Sequence, residues 1–202
     1  MSAYPVMLEA DQIVAVVIGG GSVALRKARA LVVAGARVTV VAPEFHAAFN
    51  ESLLPDSPRL LRERYASKHL DGASMVIAAT DDPAVNEQVA ADAKRIGLLV
   101  NVADAPDLGN FTTPAVHRSG ELTVAVSAGR VPGAAAAIRD VIRRRFDDRY
   151  ATAIADLRRL RDRLLSAGKR EEWNGIVDDV FDGEFCRSVE GGTLGRKLGE
   201  RP

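Results

Sequence analysis

Residues 13–21 read IVAVVIGGG, a short apolar run rich in β-branched side chains that ends at three glycines. The run shows no polar alternation, so it predicts a strand covered on both faces rather than one with a wet side. The stretch 22–34 then contains neither glycine nor proline, and it places Val23, Ala24, Ala28, Leu31 and Val32 on one helical face. Gly35 stops that helix, and ARVTVV leads into a second strand that breaks at Pro43. A strand covered on both sides, followed at once by a helix and another strand, is the unit of a parallel sheet with crossovers.

The rhythm continues. RLLRERY (59–65) is a strand candidate, and ASMVIAAT (73–80) is a buried strand. DDPAVNEQVAADAKRIG carries a helix from Pro83 to a stop at Gly97, and LLVNV (98–102) is a further strand. The order is β-α-β-(α)-β-β-α-β, an α/β class fold with a parallel sheet. Ligands of such sheets sit beyond the carboxyl ends of the strands, here 19–22, 42–44, 80–83 and 103–106. After Pro114 the pattern changes. GELTVAVSAG (120–129) alternates as a strand outside the βαβ rhythm, and a helix follows from Pro132 with Ile138, Val141, Ile142 and Phe146 on its apolar face. A second helix covers about 150–166 with Ile154, Leu157, Leu160 and Leu164 in a stripe. The tail from Thr193 is glycine-rich and charged, and it reads as disordered.

Bulk composition excludes several classes. Lys+Arg and Asp+Glu both number 27, so no overall charge argues for nucleic acid or a membrane surface. Aromatics make up only 5%, leaving no stacking platform for single-stranded nucleic acid. The single cysteine, Cys186, cannot form an internal disulfide, which suits a reducing cytoplasm. The start of the chain lacks a secretory signal, and no apolar stretch has the length of a membrane helix. The expected localisation is cytoplasmic.

The glycines follow the pattern Gly19-x-Gly21-x-x-Ala24 between a buried strand and a helix start. In the dinucleotide-binding pattern the first glycine allows the tight turn and the second lets backbone approach a pyrophosphate. The third small residue lets helix pack on strand. The helix N-terminus adds unpaired N–H groups and a partial positive charge. The other reading is a glycine turn without ligand. The acid that usually ends the second strand and holds a ribose is absent, since Ala42 stands there. Glu44 follows two residues later, so Pro43 and Glu44 are the candidate adenosine contacts; Glu44 as a solvated loop acid is the alternative. No arginine cluster follows that would grip a 2′-phosphate, which favours NAD over NADP.

Taken in order, YPVML, VVIGGGSVALRKARALVVAGARVTVVAPE, VIAATDDPAVNEQV, LLVNVADAPDLGNFTTPAV and SGELTVAVSAG resemble the precorrin-2 dehydrogenases, the NAD-binding module of siroheme synthases that also exists as a stand-alone enzyme. The resemblance covers residues 4 to about 146, and the length resembles the stand-alone form. It implies a Rossmann-type NAD-binding domain over 1–113, a dimerisation segment over 114–147 that exchanges strands in a homodimer, and a helical C-terminal domain over 148–202. It implies NAD-dependent oxidation of precorrin-2 to sirohydrochlorin, with iron insertion as a second activity in some members. A nucleotide-sensing regulatory module is the rival from another class.

Carried over residue by residue, the resemblance places nucleotide contacts on Gly19, Gly21, Ser22, Val23, Pro43, Glu44 and, near the nicotinamide, Thr80. The family's functional aspartate falls on Asp104, a candidate proton acceptor at a strand end. From the residues alone Asp104 has a second reading, as an Asx-turn former in DAPDLGN. One departure concerns VSAG, where Ser127 remains but Ala128 replaces a second serine. The GRVPG loop that follows is also one residue short. Both weaken the case for iron insertion more than for oxidation. His46, His69 and His117 stand apart without metal-site spacing, so no metal ligands are assigned. His117 is the one placed to act as a secondary acid–base or metal-handling group. Residues 139–170 are strongly basic and 171–190 strongly acidic. The first reading is solvated helices with offsetting charge; the second has Arg139, Arg143, Arg144 and Arg145 attracting a substrate rich in carboxylates.

Overall fold

The structure is a computed structural model that describes residues 3–49, 58–181 and 183–199. The chain divides into two compact units, Met1–Thr113 and Pro114–Pro202. The first runs β1 (Val14–Ile18), α1 (Ser22–Val33), β2 (Arg37–Val41), β3 (Arg59–Leu61), β4 (Met75–Ala78), α2 (Pro83–Arg95) and β5 (Leu99–Val102). All five strands are parallel, in the order β3-β2-β1-β4-β5. The chain winds outward from β1 in one direction through β2 and β3, then returns to the far side of β1 for β4 and β5. The topological switch therefore lies between β1 and β4, where open α/β sheets take their ligands.

Alternate side chains of the strands feed two separate cores. Ala15 and Val17 pack with Val38, Val40 and Ile77 beneath Ala24, Leu25, Ala28 and Val32 of α1. Val16 and Ile18 pack with Val41, Val76, Val100 and Val102 beneath Val89, Ala90 and Ala93 of α2. Each fully buried valine or isoleucine contributes about 1.5–3 kcal/mol of transfer free energy, so the uninterrupted apolar run of β1 serves both layers at once. The helix expected between the second and third strands is not among the described residues. A 3-10 turn at Ala47–Phe49 stands in its place, and the rest of that connection, 50–57, lies outside them.

The second unit opens with an antiparallel hairpin of β6 (Ala115–Ser119) and β7 (Leu122–Val126). The strand read over 120–129 is β7, shorter than expected because Gly120–Glu121 makes a two-residue turn, and β6 before that turn is an additional strand. Gly120 has φ +56°, and a Cβ there would lie 2.9 Å from the Cβ of Ala151. Five helices follow: α3 (Pro132–Arg145), α4 (Asp148–Ser166), α5 (Arg170–Val180), α6 (Phe185–Glu190) and α7 (Leu194–Gly199). Tyr150, Leu157 and Leu164 of α4 form their core with Ile176, Val180, Val189 and Leu194. The tail expected to be disordered is thus corrected as far as residue 199. Leu194 is buried and Leu198 packs on the same core, and tertiary burial outweighs the poor helix propensity of glycine there. Among the described residues, no helix is long and apolar enough to cross a membrane.

Candidate functional site at the strand ends

The three glycines after β1 do three different jobs. Gly19 has φ +133°, and a Cβ there would lie 2.3 Å from the carbonyl oxygen of Ala79. Gly20 is pressed against the loop after β2, where a Cβ would sit 1.9 Å from the carbonyl oxygen of Glu44 and 3.0 Å from the Cβ of Ala42. Backbone bonds clasp this turn to its neighbours: Gly19 N–H donates to Val41 O at 2.9 Å, and His46 N–H donates to Gly20 O at 2.8 Å. Gly21 differs. Its φ is −82° and no atom lies within 4 Å of a Cβ built on it. Neither backbone strain nor packing explains glycine there, and the open space is what close approach of a phosphate requires.

Gly21 is also the N-cap of α1, and it offers no side chain to that helix. The first helical bond runs from Leu25 N–H to Gly21 O, so the amides of Ser22, Val23 and Ala24 precede it. The first turn carries no acid. Ser22 is exposed and Val23 is 41% exposed, so both candidate contacts face outward. These features together make an anion site fitted to a pyrophosphate. Pro43 and Glu44 are exposed on the adjoining β2 loop, while Ala42 is buried against the glycine turn. Arg62, just past β3, stacks over the ring of Phe45 at 5.3 Å.

Thr80 and Asp104 lie beyond the ends of the adjacent strands β4 and β5, and a residue absent from the sequence reading joins them. Asn86, on the first part of α2, is 1% exposed. Its Oδ1 accepts from Thr80 N at 3.2 Å and lies 2.8 Å from Thr80 Oγ1. Its Nδ2 donates to Thr80 O at 3.0 Å and to Asp104 Oδ1 at 3.2 Å. Asp104 is exposed, and among the described residues its carboxylate takes part in no other hydrogen bond. The short 3-10 turn after it, Pro106–Leu108, has no side-chain cap. The carboxylate is therefore tied to another element 18 residues away and does not form the Asx turn of its own loop. Nothing in the spacing of N-x-(17)-D marks such a pair; only the fold brings them together.

The three histidines are engaged elsewhere. His46 Nδ1 accepts from Ala48 N at 3.2 Å. His69 Nδ1 accepts from Ala66 N at 3.1 Å, with Nε2 3.1 Å from Glu63 Oε2. His117, the one singled out as a secondary acid–base group, is buried in the second unit, and its Nε2 donates to Phe146 O at 2.6 Å. That bond ties one ring nitrogen to the carbonyl that ends α3. Among the described residues, no group of three His, Cys, Asp or Glu could hold a metal ion. Among the described residues, Arg139 pairs with Asp140 at 2.7 Å and Arg145 with Glu190 at 2.7 Å. Arg143 and Arg144 are exposed. A hollow lined by Val14, Gly35, Arg37, Thr39 and Arg59 opens at the amino ends of β1–β3. It lies at the opposite ends of the strands, and among the described residues no carboxylate lines it.

Comparison with known proteins agrees with this geometry. Residues 6–115 match a family model described as putative NAD(P)-binding. The siroheme synthase of Ectopseudomonas mendocina (strain ymp) is 39% identical over 87% of this chain and 38% of its own length. That of Methylobacillus flagellatus is 35% identical over 95% of this chain and 42% of its own. The chain thus spans about two fifths of the length of these curated relatives. A solved structure titled "SirC, precorrin-2 dehydrogenase" superposes with a TM-score of 0.73 at 26% identity, covering 98% of both chains. By the glycine turn, the sheet order and these matches, the chain belongs to the putative NAD(P)-binding family, is homologous to part of the siroheme synthases, and resembles SirC over 98% of its length.

Proposed function

We propose that the chain is an NAD-dependent precorrin-2 dehydrogenase, oxidising precorrin-2 to sirohydrochlorin in siroheme biosynthesis. The observation that carries the reading is the pairing of two features at the carboxyl edge of the parallel sheet, beyond β1 and β5 with β4 between them. One is an anion-ready helix start with an unexplained open glycine, Gly21; the other is an exposed carboxylate, Asp104, held in place from behind. NAD, when bound, supplies the hydride acceptor. The amides of Ser22 and Val23 hold the pyrophosphate, Glu44 meets the adenosine ribose, and Thr80 borders the nicotinamide. Loss of two electrons from the macrocycle releases one hydride and one proton, and Asp104 accepts the proton. The substrate is a polyanion, so Arg143 and Arg144 serve to attract it.

The choice of NAD over NADP rests on Glu44, whose carboxylate opposes a 2′-phosphate. A homodimer through the second unit is supported by exposed Ile138 and Val141 on α3, at 47% and 58%, and by Val116 on β6. The unpaired thiol of Cys186 fits a cytoplasmic setting.

The test is NAD reduction on mixing with precorrin-2. Turnover by the native chain is expected, with Asp104→Asn lowering it about 10²–10⁴-fold while NAD affinity stays within about twofold, because Asn preserves the loop but cannot accept the proton. A folded chain that binds NAD yet never reduces it with precorrin-2 would instead be a nucleotide-sensing module.

A further inference from the structure

We propose that Asn86 is the positioning residue of this site, a buried amide that locks the Thr80 loop and the Asp104 carboxylate into one unit and presents Oδ2 of Asp104 as the proton acceptor. The inference rests on the role given to Asp104 above. Its first support is that the amide can have only one orientation. Thr80 N–H can only donate, so the atom facing it is Oδ1; Thr80 O can only accept, so the atom facing it is Nδ2. The second hydrogen of Nδ2 then points at Asp104 Oδ1, which must accept. The proton delivered by a substrate therefore goes to the opposite oxygen.

The second support is the asymmetry of the Asn86–Asp104 bond. An exposed aspartate on a loop needs no protein partner, since water satisfies it. Asn86, 1% exposed on a helix face otherwise filled by Val89, Ala90 and Ala93, does need all its partners. Burial fixes the donor, and the donor fixes the acid. The third support is continuity. β4 and β5 pair through Ala78 and Val102, and Ala103 N–H donates to Ala78 O at 2.9 Å. Asn86 thus closes a ring of bonds across two neighbouring strand ends, with the two candidate nicotinamide-side residues on it.

The experiment is a double-mutant cycle with Asn86→Ala, Asp104→Ala and the pair, read by kcat for NAD reduction, by NAD affinity and by melting temperature. If Asn86 acts through Asp104, Asn86→Ala lowers kcat about 10²-fold in the native background and changes it by less than about threefold once Asp104 is gone. NAD affinity is expected to stay near native. Losses in kcat that multiply independently overturn the inference, because a merely structural residue acts alike in both backgrounds. Should Asn86→Ala not fold, Asn86→Ser, neutral and retaining a hydroxyl but no amide donor for Asp104, enters the same cycle. If the native chain shows no turnover with precorrin-2, the proposed function falls, and the melting temperatures still decide the inference: non-additive losses sustain the lock and additive losses refute it.

Discussion

Helices α1 and α2 start at the carboxyl ends of neighbouring strands, β1 and β4, and are finished in opposite ways. The start of α2 is closed from within: Asp82 accepts from the amides of Ala84 and Val85 at 2.9 and 3.4 Å, and Pro83 removes a third donor. The start of α1 has a glycine cap, no acid in its first turn and open space above Gly21. Two helix ends with the same orphan amides and the same dipole thus differ only in what completes them. One is closed by its own side chains, and the other is left open where the proposed nucleotide would place its charge.

Substitutions can sharpen or break that contrast. The largest effect is expected from Gly20→Ala, whose added methyl collides with the carbonyl of Glu44. Stability should fall by about 3 kcal/mol, measured by urea unfolding, and nucleotide binding should go with it because the turn itself moves. Gly21→Ala should separate the two properties. With nothing within 4 Å of the new Cβ, stability should change by less than about 0.5 kcal/mol. NAD affinity by calorimetry should drop at least about tenfold, or roughly 1.4 kcal/mol. Native affinity in that variant would mean the open glycine is not where phosphate approaches. Asp82→Ala should show the reverse pattern, costing about 1 kcal/mol of stability with NAD affinity nearly intact.

The smallest effect concerns pH. Helix α4 is capped, like α2, by an acid: Asp147 accepts from Arg149 N at 3.0 Å, and hydrogen bonds from the Arg149 side chain and backbone hold its carboxyl below the ordinary value of 3.8. A depressed acid contributes stability that is present above its unfolded value and lost as pH falls through the folded one. The loss of α4 helicity below about pH 3.8 should therefore be gentler in Asp147→Asn, as followed by circular dichroism. The uncapped start of α1 has no acid to titrate and should add nothing to that transition.

Much of the first unit was readable before any coordinates. Continuous apolar runs bounded by glycine mark β1, β4 and β5, because a strand covered on both faces can carry no polar alternation. The second unit was less legible. β6 reads AVHRS, with a histidine and an arginine in it, and it forms a strand by pairing with β7 rather than by its own pattern. Helix α7 escaped notice because LGRKLG has poor local propensity and is held by two leucines on a distant core. At the site, Gly19, Gly21 and Asp104 stood out from motif context, whereas Gly20 and Asn86 did not. Gly20 is small because of a carbonyl 24 positions later, and Asn86 is polar because of a loop and a carboxylate on either side of its helix.

By itself, the order of residues determined the parallel class of the sheet, the place of its first crossover and the glycine turn at the start of α1. These depend on period, glycine and side-chain type within a few positions of one another. Only the tertiary structure decided which of the three glycines is free to meet a ligand, and that the carboxylate of Asp104 is held by a buried amide instead of its own turn. Those depend on distances between segments far apart in the chain, and steric contact and hydrogen-bond satisfaction are settled only once the strands have aligned.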